Sequence, residues 1–245
     1  MTSDQQVGAG QIAKRIALVR AQMAQAAMAA GRDPASVTLL PVSKTHPTFE
    51  IIEAARLGGL TVFGENRPQE LAAKAGALAD MGLGWSLIGP LQTNKAALAA
   101  QWASQFQALD SLKLAEVLDR RLQGLGRGLD VMIEVNTSGE PTKHGVTPGE
   151  ALRLAAGLAS FSALRPVGLM TVAANSQDQG VVRACFASLR RTRDHLRDDG
   201  VAGNWDELSM GMSSDFRLAI EEGSTVVRLG AAIFGPRLAS PTVPA

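Results

Sequence analysis

The chain has 245 residues, is 46% hydrophobic and carries a formal net charge of +1. That length supports one sizeable core, and α/β barrels reach it as one domain. Lys plus Arg (24) nearly cancel Asp plus Glu (23), and no basic stripe is seen, so nucleic acid is not an expected partner. No stretch is long enough and apolar enough to span a bilayer, and the polar, glycine-rich start (Met1 to Gly10) has no signal-peptide apolar region. The default expectation is a cytoplasmic protein without a membrane partner. A single cysteine, Cys185, excludes an internal disulfide, and its apolar helical neighbours Val182 and Leu189 predict core packing.

Ile12, Ile16, Val19 and Met23 predict a first helix over 11–30, stopped by Gly31 and Pro34. Short apolar runs then alternate with amphipathic segments. The runs predict strands at Val37–Val42, Thr61–Gly64, Trp85–Ile88, Gln107–Leu109, Leu129–Val135, Ala163–Leu169, Glu207–Ser209 and Thr225–Leu229. The segments between predict helices near 48–57, 68–80, 92–103, 111–123, 147–159, 179–198 and 213–221. Ser111 before Leu112, Ala115, Leu118 and Leu122 is a helix start, and Thr147-Pro148 is another. Eight strands alternating with helices predict an α/β fold, a single (β/α)8 barrel with an extra amino-terminal helix. An open doubly wound sheet competes, but the turn after the first strand, Ser43-Lys44-Thr45-His46-Pro47, contains no glycine, and no dinucleotide fingerprint follows. The expectation is one domain over 1–245 with loose termini at 1–10 and 238–245.

In such a barrel the carboxyl ends of the strands form the rim where chemistry occurs. Seven strand ends carry polar or glycine residues: Lys44, Gly64-Glu65-Asn66, Gly89-Pro90-Leu91-Gln92, Asp110-Ser111, Asn136-Thr137-Ser138, Ser209 to Ser214, and Arg228-Leu229-Gly230. A lysine ammonium at an apolar mouth is poorly solvated. Its neutral amine then suits a Schiff base with an aldehyde cofactor. A strand-end lysine also snorkels into water, and Lys44 alone does not separate the two. The loops after strands seven and eight are the usual phosphate site. There Met212-Ser213 and the amides of Gly230 and Ala231 are the candidate donors. Ser213 and Asp215 equally suit capping of the following helix. Arg228 stays charged and needs an acceptor, either a heterocycle nitrogen or a rim carboxylate such as Glu65. His46 and His144 show no metal-ligand spacing, so no metal is expected; His144 lies in a loop that reads as exposed, and Lys143 beside it is either a second rim amine or equally exposed.

These runs together resemble the pyridoxal-phosphate homeostasis protein family, whose members look like the amino-terminal barrel of alanine racemase. The matching segments are Val42-Ser43-Lys44-Thr45, Phe63-Gly64-Glu65-Asn66, Gln69-Glu70, Ile88 to Lys95, Asp110 to Lys113, Val135-Asn136, Lys143 with Gly145, Gly168-Leu169-Met170, Leu208 to Ser213, Gly223-Ser224-Thr225, Val227 to Gly230 and Ile233-Phe234-Gly235. The resemblance implies pyridoxal 5'-phosphate as cofactor, bound as a Schiff base to Lys44. It implies a phosphate cup at Met212, Ser213, Gly230 and Ala231, with Arg228 facing the ring nitrogen and Asn66 beside the cofactor. Two departures stand out: Pro90 replaces a usual histidine, and Arg67-Pro68 differs from a usual aromatic stretch. The chain contains no tyrosine. Alanine racemases use one, from a second domain, as the base on the opposite face of the cofactor. The expectation is therefore a non-catalytic carrier acting in vitamin B6 homeostasis, with a pyridoxal-phosphate racemase as the alternative. Its expected partners are the cofactor and apo pyridoxal-phosphate enzymes, and its expected state is a monomer or at most a weak dimer.

Overall fold

A computed structural model describes residues 10–236. Helix α1 (Gln11–Ala29) buries Ile12, Ile16, Val19 and Met23, the stripe expected from their spacing. The repeating units follow: β1 (Thr38–Pro41), α2 (Thr48–Gly58), β2 (Val62–Glu65), α3 (Pro68–Ala77), β3 (Gly84–Leu87), α4 (Ala96–Trp102), β4 (Gln105–Leu109) and α5 (Leu112–Gly124). The second half comprises β5 (Leu129–Glu134), α6 (Pro148–Leu158), β6 (Leu164–Met170), α7 (Gln179–Asp198), β7 (Glu207–Ser209), α8 (Phe216–Glu221), β8 (Val226–Leu229) and α9 (Ala231–Phe234).

The eight strands among the described residues are parallel, and neighbours in sequence are neighbours in space. Strand β1 pairs with β8, with Thr38 opposite Val226 and Pro41 opposite Leu229. A parallel bridge from Val42 to Gly64 joins β1 to β2 and completes the circle. Hence all carboxyl ends face one rim, and the seven polar strand ends named above share it. Helix α1 packs on α2, α8 and α9, sealing the outside where first and last units meet. Cys185 is buried, as its helical neighbours predict.

Most helix starts follow the local signals. The Ser111 hydroxyl accepts from the Leu114 amide. Thr147 and Glu150 form a reciprocal capping box ahead of Pro148. Pro68 opens α3, where its missing N–H costs nothing. Four expectations need correction. The predicted helix over 92–103 is a 3-10 turn (Thr93–Lys95) followed by the shorter α4. The predicted helix over 68–80 ends at Ala77, with a 3-10 turn (Ala79–Met81) after it. The predicted helix over 213–221 starts only at Phe216, because the Asp215 carboxylate accepts from the Met212 amide at 2.6 Å and closes residues 212–215 as a turn. Strand β4 begins two residues before its predicted start, at Gln105. Of the termini expected to be loose, 1–9 and 238–245 lie outside the described residues.

Candidate functional site

Lys44 sits in the turn after β1, half-buried and two residues beyond the Val42 bridge. The backbone on both sides of it is pinned. The Ser43 amide donates to Gly64 O at 3.0 Å, and the Ser43 hydroxyl donates to Glu65 Oε1 at 2.6 Å. Thr45 has φ 67°, the only left-handed non-glycine among the described residues, and its amide donates to Glu70 Oε1 at 2.6 Å. Holding a β-branched residue there costs energy unless its surroundings fix it.

Lys74 ties these contacts together. Its Nζ donates to Ser43 O (2.7 Å), Glu65 Oε1 (2.7 Å) and Glu70 Oε1 (2.8 Å), so all three ammonium donors are used. Burial pushes the Glu65 carboxyl up, against hydrogen bonds from Lys74 and Ser43 that pull it down. Burial also acts upward on Glu70, but bonds from Lys74 and Thr45 outweigh it and hold that carboxyl below its usual range. Lys74 was not singled out in the sequence. Its position one helical turn after Glu70 was the available signal.

Arg228 is 5% exposed, one residue before the end of β8. Its guanidinium donates to Ser209 Oγ (2.7 Å) and to Thr171 O (2.7 Å). The alternative pairing with Glu65 is not observed; Lys74 and Ser43 occupy that carboxylate instead. Burial lowers Arg228 to about 10, opposed by the charges of Glu134 and Asp215, so it remains cationic at neutral pH. Glu134, at the end of β5, is pushed up to about 7 by burial, with His144 and Arg228 pulling the other way. Burial also raises Asp215.

The rim encloses a cavity of about 300 Å³. Lys44, Met212, Ser213, Arg228, Gly230 and Ala231 all line it. Gly230 caps α9, and a Cβ there would lie 3.1 Å from Val42 O, so the close approach of β8 to β1 favours glycine. Helix geometry leaves the first amides of α9 without intrahelical acceptors. Ser213 and Asp215 make no side-chain cap to α8. Asn66 is half-buried against Gly89 and is not among the lining residues. His46 does line the cavity. Its Nδ1 lies 2.8 Å from Glu50 Oε2, and its ring stacks on Phe234 with centroids 5.0 Å apart. That role was not assigned from sequence, because Phe234 lies in a helix that the strand-eight pattern did not announce. Lys143 borders a neighbouring groove, with its Nζ donating to Ala173 O at 2.6 Å, and His144 is exposed. No group of three or more metal-ligating side chains occurs among the described residues.

Glu134 makes a pH prediction. Its folded-state value of about 7 lies above the ordinary carboxyl value, so the folded chain holds this proton more tightly than the unfolded chain. Its contribution to stability is present below about pH 4.5 and lost as pH rises through about 7. The linkage amounts to about 3 kcal/mol at most. Urea unfolding of Glu134→Gln should show a smaller stability loss between pH 5 and pH 8 than the unmodified chain shows. Equal losses would contradict a buried, titrating Glu134.

Residues 16–238 match the family model described as alanine racemase, N-terminal domain. The pyridoxal phosphate homeostasis protein of Pseudomonas aeruginosa is 43% identical over 92% of this chain and 96% of its own. The protein of that name from Escherichia coli strain K12 is 38% identical over 92% and 97%. Among solved structures, PipY of Synechococcus elongatus PCC7942, determined with pyridoxal phosphate bound, is 37% identical over 91% of this chain and 100% of its own, with a TM-score of 0.81. Alanine racemase of Clostridium difficile 630, at 16% identity and a TM-score of 0.70, shares the fold; this chain covers 58% of it. A family model over most of the chain, and relatives about 40% identical over nine tenths of it, place this barrel in the pyridoxal phosphate homeostasis protein family.

Proposed function

We propose that this protein binds pyridoxal 5'-phosphate reversibly on the barrel rim and buffers or delivers it, without acting as an enzyme. The carrying observation is a cavity that gathers an amine (Lys44), a buried guanidinium (Arg228), a hydroxyl (Ser213) and a glycine-led helix start (Gly230, Ala231). Its volume is at the lower end of small-molecule sites. The bound cofactor supplies an aldehyde that an amine captures with loss of water. Lys44 provides that amine, held by the Ser43–Glu65–Lys74–Glu70 contacts on either side of it. Ser213 and the amides of Gly230 and Ala231 receive the phosphate, and Met212 shapes that loop. Arg228 offers an N–H to the ring nitrogen, while Asn66, just after β2, packs against Gly89 outside the cavity lining.

Racemisation of an amino acid by the two-base route needs a base on each face of the cofactor plane. The chain has no tyrosine to serve as the second. One observation favours the racemase alternative: His46 lines the cavity. Its ring is packed on Phe234 and engaged by Glu50, which commits it to holding α9 against the β1 turn. No described helix is long and apolar enough to cross a membrane. A cytoplasmic monomer that hands the cofactor to apo enzymes completes this reading.

Ser213→Ala should weaken cofactor binding by roughly 1.5–3 kcal/mol, the range for a hydrogen bond to a charged group. Pyridoxal without its phosphate should bind far more weakly than the phosphorylated form; equal affinities would exclude the phosphate cup. Lacking one base forgoes roughly 10²–10⁴ in rate, so racemisation of L-alanine should be slow or absent. An apo pyridoxal-phosphate enzyme should gain activity from the loaded protein even when free cofactor is trapped. Rapid racemisation abolished by Lys44→Ala would favour the racemase.

A further inference from the structure

The barrel axis carries a chain of side-chain hydrogen bonds with a single direction. Arg228 donates to Ser209 Oγ at 2.7 Å. Ser209 donates to Gln107 Oε1 at 2.6 Å. Gln107 Nε2 donates to Gln105 Oε1 at 2.7 Å, and Gln105 Nε2 donates to Glu207 Oε2 at 3.3 Å. Gln105 and Gln107 are two apart on β4, and Glu207 and Ser209 are two apart on β7, so each pair shares one face of its strand. The two strands are not paired with each other, and their side chains meet across the interior. Gln107 and Ser209 are fully buried, whereas small-barrel interiors are usually filled by branched apolar residues.

Both ends force the direction. A guanidinium only donates, so Ser209 must accept from it and give its own hydrogen to Gln107. Gln107 must therefore present its oxygen to Ser209 and its NH₂ to Gln105. At the far end a carboxylate accepts, which requires the Gln105 NH₂. A cation at the rim and an acid at the floor thus lock two amides and a hydroxyl between them. Thr171 O takes a second Arg228 donor at 2.7 Å. Two of the five guanidinium N–H groups are used in this way, and three remain.

We propose that Gln107 and Gln105 are positioning residues for Arg228. Through Ser209 they fix the plane of the guanidinium, so that its remaining N–H groups are aimed before any ligand arrives. Preorganised donors make stronger contacts than donors that must be ordered on binding. This rests on the reading that Arg228 faces the cofactor's ring nitrogen. It adds that selectivity for that nitrogen is set by residues deep in the barrel.

The test compares dissociation constants for pyridoxal phosphate and its 1-deaza analogue, in which C–H replaces the ring nitrogen. The unmodified chain should prefer pyridoxal phosphate by roughly 10-fold or more, as expected for a charge-assisted hydrogen bond. Gln107→Leu should shrink that preference several-fold while leaving affinity for the deaza analogue unchanged. Gln105→Leu, at the half-buried floor, should do the same more weakly, and it decides the matter if Gln107→Leu does not fold. No preference in the unmodified chain would overturn the Arg228 reading and this inference with it. A preference that survives both variants would overturn the inference and leave the Arg228 reading standing. Equal weakening of both ligands would show a merely structural role and would also overturn it.

Discussion

A guanidinium buried inside a barrel is the constraint around which the rest of this site is arranged. Taking such an ion out of water has an effective cost of several kcal/mol unless its donors are met. Here Ser209 and Thr171 meet two of them, while Glu134 and Asp215 supply negative charge nearby. Each of those choices has its own consequence. Asp215, facing Arg228, also closes the 212–215 turn and delays the start of α8. Ser209, committed to Arg228, needs an acceptor deeper in the barrel, which is why Gln107 and then Gln105 stand where branched apolar residues would otherwise pack.

The adjacent side of the rim is organised by a second buried cation. Lys74 reaches from α3 to the turn that carries Lys44 and uses every donor on fixed acceptors. Its partners hold the peptides on either side of Lys44, including the left-handed Thr45. Pairing of β1 with β8 then brings the Lys44 turn beside Arg228 and the α9 start. These groups lie about three quarters of the chain apart in sequence, and only closure of the barrel joins them. The His46–Phe234 stack fastens the same seam from above.

Much of this was legible in the sequence. Alternation of apolar runs with amphipathic segments gives the barrel, and polar residues at strand ends give the rim. Six of the seven candidate ligand-binding residues line one cavity. What escaped was what periodicity does not encode. Gln105 and Gln107 read as polar residues at the edge of a short apolar run, so the strand was placed too late and its inward polar face was missed. Lys74 looks like any solvated helix lysine until the fold places two carboxylates and a carbonyl around it. Arg228 was recognised as needing an acceptor, but Glu65 could be excluded only once Lys74 was seen to hold it. Asn66 belongs to a matching motif, yet it packs on Gly89 rather than lining the cavity.

The central claim is that the pinned turn after β1 exists to present one amine. Borohydride reduction of the loaded protein, followed by peptide mass spectrometry, tests it most directly. The account predicts a pyridoxyl group on the peptide containing Lys44, and a folded but unlabelled Lys44→Ala protein. Label found mainly on Lys143 or Lys95 would contradict it.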